Sequence, residues 1–159
     1  MSLTPADLVG IQKEHHLAAC GSNCGVGPSE MVASIVNMAN AADDNTVLVA
    51  KGNCGIPRYA DGLIVYDGTP ELMSKYATMA LDAGARIIGG CCGTSPEHLK
   101  AMRMALESHH KGEKPDAAKI EAELGTLTAG ARAQLDGLMD RASGAAAGAA
   151  TRRPSRRSR

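Results

Sequence analysis

The chain has 159 residues, 17 basic and 17 acidic side chains, no Trp, no Phe and three Tyr. Its length suits a single modest domain with a core of Leu, Ile, Val, Met and Ala, without the area that large aromatic side chains contribute. No apolar run approaches the length of a membrane span, and the N-terminus lacks a basic region followed by an apolar segment, so a cytoplasmic setting is expected.

In chain order, Leu8, Val9 and Ile11 mark a leading helix from Pro5 to about His16. The apolar run Leu17 to Cys20 reads as a first strand, followed by Gly21-Ser22-Asn23-Cys24-Gly25-Val26-Gly27-Pro28. Met31, Ile35, Val36 and Met38 recur at helical spacing, with Ser29 expected as the N-cap. A second run, Val47 to Ala50, leads into Gly52-Asn53-Cys54-Gly55-Ile56-Pro57. Thr69-Pro70-Glu71 introduces a helix through Leu72, Met73, Tyr76, Met79 and Ala80 that Gly84 stops. The third run, Arg86 to Ile88, ends in Gly89-Gly90-Cys91-Cys92-Gly93-Thr94; Ser95 and Pro96 then open a helix through Leu99, Met102, Arg103 and Leu106.

Past Glu113 the pattern weakens. Ala117 to Leu124 reads as a short helix, and Leu127, Ala131, Leu135, Leu138 and Met139 as an amphipathic stripe interrupted by Gly130 and Gly137. Residues 143–159 are low in complexity and then arginine-rich, the composition of a disordered basic tail. No recognition fold accompanies those arginines, so nucleic acid is not an expected partner. The expected organisation is a β/α domain over 1–113, a helical extension over 114–142 and a tail over 143–159.

Strands alternating with helices argue for a parallel sheet of βαβ units, which places every strand's C-terminal end on one edge. Cys24, Cys54 and the Cys91-Cys92 doublet then gather on one rim, where parallel α/β folds put their ligand sites. Successive strand residues point to opposite faces, so adjacent cysteines reach one metal only where the chain turns, and Gly89, Gly90 and Gly93 are expected to permit that turn.

Five cysteines, an odd number in a chain without a secretion signal, favour reduced thiols or metal ligands over a disulfide framework. Cys20, inside a strand, reads as a buried core thiol. On spacing alone Cys54 completes a closed four-cysteine structural zinc site, and a vicinal disulfide or redox switch fits the doublet as well. His15-His16 and His109-His110 read as helix-end caps or solvated residues, and His98 as local to the turn that begins its helix. Asp61, Asp67 and Glu71 read as solvated loop residues, Tyr59 and Tyr66 as packing residues beside the second cysteine phrase.

The strand-end phrases Gly21-Ser22-Asn23-Cys24-Gly25-Val26-Gly27-Pro28 and Gly89-Gly90-Cys91-Cys92-Gly93-Thr94-Ser95-Pro96-Glu97-His98 resemble those of the homocysteine S-methyltransferase family, which includes betaine-homocysteine methyltransferases and the homocysteine domain of cobalamin-dependent methionine synthase. The resemblance runs from about Thr4 to about Glu113. It implies a (β/α)8 barrel of the TIM type, of which the chain supplies about the last three β/α units, and a catalytic zinc on the C-terminal rim. The family's lone zinc ligand falls on Cys24 and its pair on Cys91 and Cys92. Asn53-Cys54-Gly55 looks like the end of the seventh strand, where the family reads Asn-Ala-Gly, so Cys54 is not carried over as a ligand.

The implied activity is zinc-dependent methyl transfer from betaine, S-methylmethionine or a methylfolate to homocysteine, giving methionine. The wording of Gly68-Thr69-Pro70-Glu71-Leu72-Met73 looks most like betaine-type members. A free thiol of pKa about 8.5 is scarcely ionised at neutral pH, whereas a metal deprotonates a coordinated thiol. Three protein thiolates leave the fourth tetrahedral position to the substrate, and no catalytic residue beyond the zinc ligands is needed. A closed barrel takes about 250 residues, so the expectation is a truncated form completed by a complementary half-barrel chain or by self-association. The alternatives are an inactive zinc-binding remnant and a thiol redox or metal-buffering protein. Groups that grip the amino acid part of homocysteine are expected in the absent strands, and no residue is assigned to that role.

Overall fold

The computed structural model describes residues 3–137; the expected tail over 143–159 and Leu138 and Met139 of the amphipathic stripe lie outside them. Helix α1 (Pro5–Glu14) begins where Thr4 and Asp7 cap each other's backbone reciprocally, with Pro5 in the first turn, where its missing N–H costs nothing. Strand β1 (Cys20–Cys24) follows, then α2 (Pro28–Ala41) and β2 (Leu48–Gly52). A hairpin of β3 (Arg58–Ala60) and β4 (Leu63–Val65) precedes α3 (Pro70–Ala83), β5 (Ala85–Gly90) and α4 (Pro96–Ser108). Helices α5 (Ala117–Leu124) and α6 (Ala129–Leu135) complete the described chain.

β1, β2 and β5 form one parallel sheet in the order β1-β2-β5, so all three strands end on the same edge. The register sets Cys24 opposite Gly52, and Gly52 opposite Gly90. On β2, Leu48, Ala50 and Gly52 are buried while Lys51 is exposed, the period-two alternation of a sheet covered on one face. α2 packs on β1 and β2, and α3 on β5. The result is a mixed α/β fold whose described strands do not close into a barrel: β1 and β5 each have a single strand neighbour.

The core is built from methionine, alanine and branched aliphatic side chains: Met31, Met38, Met73, Met79 and Met102 are buried beside Val32, Ile35 and Leu48. Tyr76 is the one fully buried aromatic side chain, and its hydroxyl accepts from the Gly52 N–H at 2.9 Å. Ile120 and Leu124 of α5 and Ala131 of α6 join this same core through contacts with α2.

Two local expectations need correction, and the structure adds one element to those expected. The first strand begins at Cys20, not Leu17, because Leu17 is tied instead to the end of α1 through its N–H to the Gln12 carbonyl. Gly27, not Ser29, is the N-cap of α2, since Pro28 occupies the first turn and carries Ser29 into the helix, where it is buried. The β3–β4 hairpin was not foreseen; it turns on Asp61 and Gly62, both at positive φ.

Candidate metal centre

The C-terminal ends of β1 and β5 bring Cys24, Cys91 and Cys92 together. All three Sγ atoms lie within 4.8 Å of one another, with Cys92 3.9 Å from each of the other two. A tetrahedral zinc with Zn–S bonds near 2.3 Å spaces its sulfurs about 3.8 Å apart. The donor set and its spacing therefore fit zinc with little rearrangement, and leave one side open because Cys92 is exposed.

Backbone strain aims the lone cysteine. Cys24 has φ 65° and Gly25 φ 82°, so the chain turns abruptly as β1 ends. A non-glycine residue in that region costs roughly 1–2 kcal/mol, the kind of local strain that surrounding structure sustains at functional sites. The doublet is aimed by a four-residue turn, closed by the Thr94 N–H on the Cys91 carbonyl at 3.2 Å, with Gly93 at φ 76°. Gly89 and Gly90 were expected to share in this turn, but both extend β5. Gly90 has a different duty: a Cβ there would stand 2.3 Å from Thr94 Oγ1.

The turn is sewn to the end of β2. Cys91 N–H donates to the Gly52 carbonyl at 2.8 Å and Cys54 N–H to the Cys92 carbonyl at 2.9 Å. Buried Asn53 accepts from the Cys92 N–H at 3.2 Å and donates through Nδ2 to the Gly25 carbonyl at 2.8 Å. One amide thus spans from the residue after the lone cysteine to the pair. Sequence reasoning passed over Asn53, although a buried amide at a strand end must find partners for both its atoms.

The sulfurs also modulate one another. Burial acts to raise the Cys91 thiol, but hydrogen bonds with Cys92, Cys24 and Asn23 outweigh it and hold Cys91 below the ordinary thiol range. For Cys92, a hydrogen bond with the Tyr66 hydroxyl acts downward, and the neighbouring sulfurs of Cys91 and Cys24 push it up on balance. Tyr66 packs against Gly93, in the turn that carries the doublet.

Cys54 is not part of the cluster. It is buried, and its Sγ faces the Gly68 carbonyl at 3.1 Å and His98 Nε2 at 3.2 Å. The sulfurs that lie within 4.8 Å of one another are those of Cys24, Cys91 and Cys92, without Cys54. Cys20 is half-buried at the margin of the core rather than within it, and burial raises its thiol. His15 and His16 are exposed at the end of α1, as expected. His109 is more than a cap: its Nε2 pairs with buried Asp82 at 2.8 Å. Asp67 pairs with Arg58 on the surface at 2.8 Å. A cleft of about 350 Å³, lined by Asp43, Asp82, Lys111 and Lys114 among others, lies by Leu48, at the start of β2 and away from the sulfurs.

The family model described as homocysteine S-methyltransferase matches residues 3–106, from before α1 into α4, and so takes in every cysteine of the cluster. The chain belongs to the homocysteine S-methyltransferase family. The matched part of this homocysteine S-methyltransferase domain ends before α5 and α6, which nonetheless contribute buried side chains to the same core. No helix among the described residues is long and apolar enough to cross a membrane.

Proposed function

We propose that this chain carries the metal centre of a zinc-dependent homocysteine S-methyltransferase, with Cys24, Cys91 and Cys92 as the ligands and methionine as the product. The observation that carries the reading is the convergence of these three sulfurs, from two strand ends, at separations that suit one tetrahedral ion. When bound, zinc would supply the Lewis acidity that keeps a substrate thiol ionised at neutral pH. The chain's own residues account for the rest of the centre: Asn53 sets the distance between the β1 end and the doublet, and Tyr66 packs against Gly93 in the turn that carries it.

The methyl donor in this reading is of the betaine type, on the wording of residues 68–73. The β1-β2-β5 sheet corresponds to part of a (β/α)8 barrel, and the groups that hold the amino acid part of homocysteine and the donor belong to further β/α units paired with the open edges of β1 and β5. The domain division follows the same reading, with the barrel part over 1–113 and a helical extension beyond it.

The test is methionine formation from homocysteine and isotopically labelled betaine or S-methylmethionine, with and without an N-terminal half-barrel protein. Label in methionine that disappears in Cys91→Ala supports the proposal. Metal binding with no turnover under any pairing would leave the inactive remnant as the correct reading.

A further inference from the structure

His98 stands outside the sulfur cluster, yet it joins the segments that frame it. It is the third residue of α4, and its Nδ1 accepts from the Ser95 N–H at 3.1 Å. A ring nitrogen that accepts carries no proton, so in the neutral imidazole the hydrogen is on Nε2. That Nε2–H lies 3.1 Å from the Gly68 carbonyl and 3.2 Å from Cys54 Sγ, while the Cys54 thiol donates to the same carbonyl at 3.1 Å.

A capping box needs only the acceptor. In α1 the carboxylate of Asp7 does that work at the same helical position. The imidazole adds a donor on its opposite edge, and everything that donor reaches leads back to the metal centre. Gly68 is packed so closely on Cys54 that a Cβ on it would stand 2.6 Å from the Cys54 carbonyl carbon, and its N–H donates to the Cys54 carbonyl at 3.2 Å. Cys54 N–H in turn holds the Cys92 carbonyl at 2.9 Å. The chain from Cys92 through Gly93, Thr94 and Ser95 to His98 is thus closed into a ring by His98, Cys54 and the Cys92 peptide.

We propose that His98 is a positioning residue for the metal triad: by bridging Ser95 to Gly68 and Cys54 it fixes the Cys91–Thr94 turn against the end of β2, so that the three sulfurs stand at metal-binding separation before the ion arrives. This rests on reading the triad as a metal site. Groups outside the ligand set that orient the ligands typically contribute about 10- to 100-fold to metal affinity.

The substitutions separate the two edges of the ring. His98→Asn keeps a short acceptor for the Ser95 N–H and has no reach to Gly68; His98→Gln carries an amide N–H long enough to reach that carbonyl. Cobalt(II) titration of the full chain, followed by thiolate-to-cobalt absorption against a competing chelator, reads affinity, while circular dichroism reads helix content and Tm. His98→Asn is expected to keep its helix content, Tm and saturated spectrum and to bind cobalt about 10- to 100-fold more weakly, with His98→Gln recovering most of the loss. Equal affinity in His98→Asn and wild type would overturn the proposal and leave His98 as a cap alone. Absence of thiolate absorption in wild type would instead sink the metal reading itself, and this inference with it. Where His98→Asn does not fold, His98→Glu, which caps but cannot donate, takes its place against His98→Gln.

Discussion

Asn53 is the residue on which the geometry of the centre most depends, because a single buried amide satisfies one backbone group on each side of the triad. Replacing it with Ala removes its hydrogen bonds to the Cys92 N–H and the Gly25 carbonyl, each of which contributes about 0.5–1.5 kcal/mol. Asn53→Ala is therefore expected to lower the urea midpoint and to weaken metal binding together, whereas a surface change such as Lys51→Ala leaves both in place; a titration of each variant checks this. Residue type and spacing marked the strand-end cysteines as a group but admitted Cys54 among them; the choice of Cys24, Cys91 and Cys92 came from the resemblance of their phrases to those of the family. What Asn53 and His98 do was not legible, since each acts through a distance across loops that only the folded register fixes. Cys54 shows the reverse: its phrase repeats those of the clustered cysteines, yet its side chain turns inward to Gly68 and His98.

At the scale of elements, the strong punctuation of the sequence was read almost to the residue. Thr69 caps α3 through its side chain onto the Leu72 N–H, and Gly84 ends the helix in the left-handed conformation at φ 116°. Ala117–Leu124 likewise forms the expected helix, capped by Asp116. The β3–β4 hairpin escaped because its strands are three residues each and mostly exposed, so no alternation develops long enough to be seen. One packing contact holds the strand ends beneath the centre: the Tyr76 hydroxyl of α3 accepts from the Gly52 N–H at 2.9 Å and donates to the Gly89 carbonyl at 3.4 Å. Tyr76→Phe retains the ring against Gly52 and leaves that N–H without a partner, for a loss of about 1–3 kcal/mol that thermal unfolding reads directly.

For the whole molecule, the parallel sheet and the common edge of its strands followed from alternating strand and helix patterns, but the strand order and the extent of the core did not. The sequence signal fades past Glu113, and the family match ends at residue 106, yet Ile120 is fully buried and Leu124 and Leu127 nearly so. Those residues complete a core poor in aromatic area, lying over α2. A chain ending at Glu113 gives up their burial, at about 1.5–3 kcal/mol for each large aliphatic side chain. It is expected to unfold at distinctly lower urea than the full chain, and an unchanged midpoint would show that α5 and α6 only rest on the domain.

X-ray absorption at the zinc edge, on the full chain with and without homocysteine and alongside Cys54→Ala and Cys91→Ala, tests the proposed open three-sulfur metal site most directly. The expected result is one zinc with three protein sulfurs, rising to four sulfurs when homocysteine is added, unchanged in Cys54→Ala and lost in Cys91→Ala. No bound zinc, or a fixed four-sulfur shell that depends on Cys54, would contradict it.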